Sequence, residues 1–228
     1  MTYDCHLYTT AGGRSVNEDD ANYRFDGESG MMVVADGLGG HGNGEAASRS
    51  CVDILMRRFP SFSPICDFAA ANKQVLELNG PLTTLAAVYI RHNQFQSATV
   101  GDTRVYLFRK GNIVFQSPDD SVSQMRVHLG KLKAEQIRTS PDRNRLLAAV
   151  GAKKQLKPFL SKKMKLYKDD AVLLCSDGLW ELVLETEMKE DLAQSISAED
   201  WCRRLALRLE SRLQRDSDNA TFLCCLVK

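Results

Sequence analysis

Short apolar runs in this chain repeatedly end on an aspartate. Residues 31–36 read MMVVAD, residues 97–102 read SATVGD, and residues 171–177 read AVLLCSD. Asp218 and Asn219 stand immediately before another apolar run, 220–227, and Asn17-Glu18-Asp19-Asp20 lies near the start. Apolar runs of this length read as buried strands. The pattern therefore places carboxylates at the ends of several separate strands. Packed together without a cation, such groups repel one another, and some are driven to take up a proton. An oxygen-rich, thiol-free set suits Mg²⁺, Mn²⁺ or Ca²⁺ rather than zinc. Whether those strand ends meet is decided by the fold, not by the spacing.

The first run leads into a glycine-rich loop: Gly37, Gly39, Gly40, Gly42 and Gly44, with His41 among them. Glycine lets backbone atoms approach a ligand closely, and the histidine adds a group that titrates near neutrality. Arg14 precedes the acidic cluster 17–20 and is a candidate guanidinium for a phosphate.

The 228 residues suffice for one domain with a sizeable core, and no Pro/Gly/Ser-rich linker divides them. A net charge of +1 gives no reason to expect nucleic acid or an anionic membrane as partner. No apolar run approaches the ~20 residues that span a bilayer. The first residues lack a basic start followed by an apolar stretch, so no signal peptide is expected. The seven cysteines include no Cys-x-x-Cys pair and sit mostly in apolar contexts. They read as buried free thiols in a reducing cytoplasm.

Strands are expected at 6–10, 22–25 and 31–35, then helices at 45–59 and 67–78, with Pro60 and Pro64 ending the first. Four short β-rich segments follow at 85–90, 95–100, 103–109 and 112–116, joined by turns. This is a meander, which favours antiparallel pairing. The polar stretch 117–151 reads as an excursion from the sheet, with short helices around 122–129, 133–138 and 142–150. Residues 153–168 carry seven lysines, read as a solvated face with a weak pull on acidic peptides. Another buried strand is expected at 171–176 and helical structure at 181–196. An amphipathic helix at 200–215 and a last strand at 221–227 complete the chain.

Five motifs in order resemble one family. They are Arg14-x-x-Asn17-Glu18-Asp19, Asp36-Gly37-x-Gly39-Gly40-His41-x-x-Gly44-Glu45, Gly101-Asp102-Thr103-Arg104-x-Tyr106, Ser176-Asp177-Gly178-Leu179-Trp180 and Asp218-Asn219-Ala220. The set is similar to the bacterial PPM family, the type 2C metal-dependent protein serine/threonine phosphatases. The resemblance covers nearly the whole chain. It implies an α/β sandwich of two stacked antiparallel sheets, with helices on both outer sides and the site at one edge. Residues 1–228 would form a single domain, with a flap at about 117–151 governing substrate choice.

By the same resemblance, Asp36 would bridge two Mn²⁺ or Mg²⁺ ions and the Gly37 carbonyl would bind one of them. Asp177 and Asp218 would be ligands, with Glu18 and Asp19 helping to hold the pair. Asp102 with Asp177 matches the place of a third, weaker ion in some members. Arg14 would grip the phosphate, and His41 would protonate the leaving alkoxide. The implied partners are phosphoserine and phosphothreonine proteins made by a cognate kinase, acted on by a cytoplasmic monomer. Two departures stand out. Leu82 replaces a usual glycine before Thr83-Thr84, and Asp119-Asp120-Ser121 stands where Asp-His-Ser is usual. The stretch 130–151, with Pro141-x-Arg143-Asn144, fits the rest of the flap.

No cysteine lies in a Cys-x₅-Arg loop, and Asp36-Gly37-Leu38 lacks the Asp-x-Asp of phospho-aspartate hydrolases. A catalytically silent phosphoprotein-binding module of the same fold is the alternative. Loss of ligand positions would favour it, and every expected position is filled. A nuclease or phosphodiesterase would call for a basic groove, and none is evident.

Overall fold

A computed structural model of the protein describes residues 1–39, 43–60 and 63–228. The chain opens with β1 (Tyr3–Thr10), β2 (Asp19–Asp26) and β3 (Ser29–Asp36), followed by α1 (Gly44–Arg58) and α2 (Pro64–Leu76). The meander is β4 (Leu85–Arg91), β5 (Gln94–Val100), β6 (Arg104–Arg109) and β7 (Asn112–Gln116). Then come α3 (Val122–His128), a 3-10 helix (Ala134–Thr139), and the two-residue strands β8 (Phe159–Leu160) and β9 (Met164–Lys165). The last elements are β10 (Ala171–Cys175), α4 (Asp177–Trp180), α5 (Glu185–Ala193), α6 (Ala198–Glu210) and β11 (Ala220–Val227).

Two antiparallel sheets form, one in the order β1-β11-β10-β6-β7 and the other β2-β3-β4-β5-β8, with β9 also on β5. They stack face to face, with Met32, Val34 and Val88 meeting Leu107, Leu174 and Leu223 in one core cluster. The alternate residues of β3, Met31 and Val33, point the other way onto Leu55 and Phe68 of α1 and α2. On the far side, Phe108 and Leu173 pack against Trp201, Leu205 and Leu209 of α6. The result is helix, sheet, sheet, helix, as the family resemblance implies. Both faces of the central strands are buried, which is why their sequences are apolar without alternation. Each fully buried Leu, Met or Phe stabilises the fold by roughly 1.5–3 kcal/mol.

Several local expectations are corrected. Pro64 opens α2 at its first turn rather than closing α1, a position where its missing N–H costs nothing. No helix forms at 142–150. The Leu147 and Val150 amides instead donate to the Asp120 and Thr83 carbonyls, at 2.7 and 2.8 Å. The lysine-rich segment is not merely a solvated face, since it supplies β8 and β9 to the second sheet. Cys5 and Cys225 are register partners on β1 and β11 and are disulfide-bonded. Cys51, Cys66, Cys175, Cys202 and Cys224 are free, and Cys66 is exposed. Among the described residues, no helix is long and apolar enough to cross a membrane.

Candidate active site

Antiparallel pairing settles where the aspartates go. β3, β5 and β10 run toward the end of the sandwich from which β2, β4, β6 and β11 depart. The register makes this explicit: Asp19 lies opposite Asp36, Leu85 opposite Val100, and Cys175 opposite both Arg104 and Phe222. Asp102 sits in the turn after β5, where Gly101 takes the left-handed φ of +92° that a side chain disfavours. Asp177 begins α4 directly after β10, and Asp218 directly precedes β11. The two sheets are joined at this end by the Ser176 hydroxyl, which donates to Asp19 Oδ2 at 2.8 Å.

Arg14, Glu18, Asp36, Asp102, Asp177 and Asp218 line one cleft of about 1240 Å³. Gly37 lines it too, while Asp19 is buried beside it. His41 lies outside the described residues, although Gly39 and Asn43 on either side of it both line the cleft.

The backbone of Asp36 is braced from three directions. Its N–H donates to Thr84 Oγ1 at 3.1 Å, and its carbonyl accepts from Thr83 Oγ1 and from the Thr84 N–H, both at 2.8 Å. Leu82 in place of glycine is accommodated, its carbonyl accepting from the Leu38 N–H at 2.9 Å. Glu18 fixes the glycine loop. Its Oε1 accepts from the Gly44 N–H at 2.9 Å, at the start of α1, where a carboxylate is favoured. A Cβ on Gly39 would come within 2.1 Å of Glu18 Oε2, so a larger residue there would displace that carboxylate.

Asn219 holds the N-terminal loop in place. Its Oδ1 accepts from the Glu18 N–H at 2.8 Å, and its Nδ2 donates to the Ala11 and Val16 carbonyls. Arg14, on that loop, pairs with Asp218 at 3.2 Å with both side chains about half exposed. A pair this open contributes no more than ~1 kcal/mol, so little free energy ties the guanidinium to Asp218.

The electrostatics are those of a site short of positive charge. Burial, opposed by hydrogen bonds from Ser176 and Thr221, raises the Asp19 carboxyl to about 7. Burial followed by the Asp119 charge raises Asp102 to about 7. Asp36 is pushed well up, first by burial and then by Asp19, Asp177, Asp102 and Asp218. Asp177 is pushed up likewise, by burial and then by Asp102. Asp19 Oδ1 is buried with no hydrogen-bond partner, a costly state unless something else satisfies it. Among the described residues, no three acidic, histidine or cysteine side chains stand together in an arrangement that could hold a metal ion as they are placed. What the cleft offers is hard oxygen donors in mutual repulsion with an orphaned carboxylate oxygen, which fits divalent cations.

Sequence reasoning missed the supports of Asp102. The Trp180 indole donates to the Asp102 carbonyl at 3.0 Å. Arg104 stacks on Trp180, its guanidinium 3.6 Å from the ring centroid. The same guanidinium is held by both oxygens of Asp119, at 2.8 and 2.7 Å. Arg104 and Trp180 stand inside recognised motifs, but nothing in the spacing says that they stack. The Asp119-Asp120-Ser121 segment ties the turn after β5 to α3. Asp119 anchors Arg104, the Asp120 N–H donates to the Gly101 carbonyl at 2.7 Å, and Ser121 caps α3.

A two-sheet sandwich with a carboxylate-lined cleft at one end is the architecture expected of a metal-dependent phosphatase. Known proteins agree, although no protein-family model matches the chain. The serine/threonine phosphatase stp of Listeria welshimeri is 31% identical over 185 residues, 72% of each chain. Among solved structures, the serine/threonine phosphatase Stp1 from Staphylococcus aureus superposes with a TM-score of 0.88 at 26% identity. That match covers 100% of this chain and 96% of Stp1. The catalytic domain of the serine/threonine protein phosphatase PstP, solved with two manganese ions, gives a TM-score of 0.80 at 27% identity over 99% of each chain. The chain belongs to the PPM family, and it is a serine/threonine protein phosphatase.

Proposed function

We propose that this cleft hydrolyses phosphoserine and phosphothreonine esters with two divalent cations, Mn²⁺ or Mg²⁺. The observation that carries this is the convergence of Asp19, Asp36, Asp102, Asp177 and Asp218 from both sheets, with one buried carboxylate oxygen unpartnered. The two manganese ions in the PstP catalytic domain support the reading. Asp36, the Gly37 carbonyl, Asp177 and Asp218 would hold these ions, with Glu18 and Asp19 supporting the set. Asp102 with Asp177 would hold a third, weaker ion. When bound, such a pair supplies a water of lowered pKa as nucleophile and offsets charge on the phosphoryl oxygens.

The chain's own residues do the rest. Arg14 orients the phosphate through its planar fork of donors. His41 delivers a proton to the departing serine or threonine oxygen. No covalent phosphoenzyme is needed, and the free cysteines Cys51, Cys175, Cys202 and Cys224 are buried away from solvent. The partners in this reading are phosphoproteins made by a Ser/Thr kinase, met by a monomer. No observation favours the catalytically silent alternative.

The direct test is hydrolysis of a phosphothreonine peptide with Mn²⁺, with Mg²⁺, and after EDTA. Turnover is expected with either ion, lost on chelation and restored by adding metal back. Full turnover in EDTA would overturn the proposal.

Arg14→Ala is expected to raise KM for the same peptide about ten- to hundredfold with kcat little changed. That is the worth of a hydrogen bond to a charged group, ~1.5–3 kcal/mol. Steady-state kinetics check this, and unchanged KM and kcat would count against the assignment.

A further inference from the structure

The cleft is larger than a phosphorylated side chain needs, and its lining is not uniform. Beyond the carboxylates, its wall includes Lys153, Gln155 and Lys157, together with Leu147 and Leu156. Leu147 lies near the end of the polar excursion, and the other four belong to the lysine-rich segment that the chemistry above leaves unused.

This stretch is held in place at both ends. Asn72 of α2 is buried, 2% exposed. Its Oδ1 accepts from the Gly151 N–H at 2.8 Å, and its Nδ2 donates to the Lys153 and Lys154 carbonyls at 2.9 and 3.4 Å. Gly151 takes φ +90°, and a Cβ there would meet Val75 at 2.5 Å. At the other end Phe159 and Leu160 pair with Thr99 and Ala98 of β5. Between these anchors Leu156 packs against the core, while Lys153 and Lys157 are exposed.

Neither lysine makes an ion pair among the described residues. Several arginines elsewhere in the chain are paired: Arg138 with Glu185, Arg143 with Glu181, Arg208 with Asp191. These two cations, the first on backbone held by a buried clamp, stand on one wall of the carboxylate-lined cleft and form a positive edge awaiting a negative partner.

We propose that the 153–157 strip is a substrate subsite that reads acidic residues flanking the phosphorylated serine or threonine. The inference rests on the proposed site, since the phosphate must be seated among Arg14 and the carboxylates for its neighbours to reach the strip. Lys153 and Lys157 meet Asp or Glu side chains of the substrate at the solvent-exposed rim. Charges placed there act mainly on encounter and on selectivity, and they are screened by salt.

The test compares two phosphothreonine peptides of equal length, one with Asp and Glu around the phosphothreonine and one with Asn and Gln in their place. p-Nitrophenyl phosphate, which has no flanking residues, is the third substrate, and all are assayed with Mn²⁺. The wild-type protein is expected to favour the acidic peptide about tenfold in kcat/KM at low salt, with the preference shrinking toward 0.5 M NaCl. Lys153→Gln with Lys157→Gln should abolish the preference and leave p-nitrophenyl phosphate turnover within about twofold. Lys153→Glu with Lys157→Glu should reverse it. The proposal is overturned by a wild-type protein indifferent to the flanking charges, or by a preference that survives both double variants. Equal losses on all three substrates would also overturn it. Wild-type turnover of p-nitrophenyl phosphate reports separately on the carboxylate site, so failure of that reading is recognised on its own.

Discussion

Replacing Asp36 by asparagine is expected to lower turnover of a phosphothreonine peptide on the order of 10³-fold, with the protein still folded. That factor corresponds to about 4 kcal/mol of activation free energy. The size follows from position. Asp36 feels Asp19, Asp177, Asp102 and Asp218, and in the proposed function it would hold both cations. Its contribution to the fold is a different matter. The Thr83 and Thr84 contacts engage its backbone, and the asparagine amide leaves them intact. Asp19 stands directly opposite it on β2, and burial beside that carboxylate already disfavours a charge on Asp36 in the metal-free protein, so the neutral amide costs nothing there. The metal-free variant should therefore melt no lower than the metal-free wild type. Adding Mn²⁺ should raise the wild-type melting temperature, since a ligand at 100 Kd stabilises by about 2.7 kcal/mol. The variant should lose most of that rise. Wild-type turnover by the variant at saturating Mn²⁺ would falsify the assignment.

His41→Ala is expected to separate two substrates. Hydrolysis of a phosphothreonine peptide should slow by ~10²-fold or more, while p-nitrophenyl phosphate should be barely affected. A threonine alkoxide is a far more basic leaving group than a nitrophenolate and needs the proton more. An unperturbed imidazole titrates near ~6.5, close to working pH. His41 follows Asp36 by five positions, in a loop whose flanking Gly39 and Gly44 are both held against Glu18. If the histidine only shapes that loop, both substrates should lose rate by a similar factor, with weaker Mn²⁺ binding. Measuring kcat for both at saturating Mn²⁺ decides, and parallel losses would retire the acid role.

Much of the architecture was legible in the sequence because burial leaves a direct trace. Runs such as 31–35 and 171–175 are apolar throughout because β3 and β10 are covered on both faces. The stripe Trp201, Leu205, Leu209 announced the one face of α6 that meets a sheet. The segment 142–150 misled for a related reason. It is rich in good helix formers, yet tertiary partners, Thr83 and Asp120, take its amides first. The Cys5–Cys225 bond was invisible because its members are 220 residues apart and meet only through the β1–β11 register.

By itself, the sequence determined which residue types stand at strand ends, that these are oxygen donors without thiols, and in what order the motifs come. Those properties are local, set by each residue and its few neighbours. Only the tertiary structure decided that the strand ends share one edge, because antiparallel pairing and sheet stacking join residues as far apart as Asp19 and Ser176. It alone placed Asp19 opposite Asp36, stacked Arg104 on Trp180 beside Asp102, and clamped Lys153 to Asn72. A carboxylate's charge is written in the chain. The repulsion that makes a group of them want a cation depends on burial and on distances of a few ångströms, and those exist only once both sheets have closed.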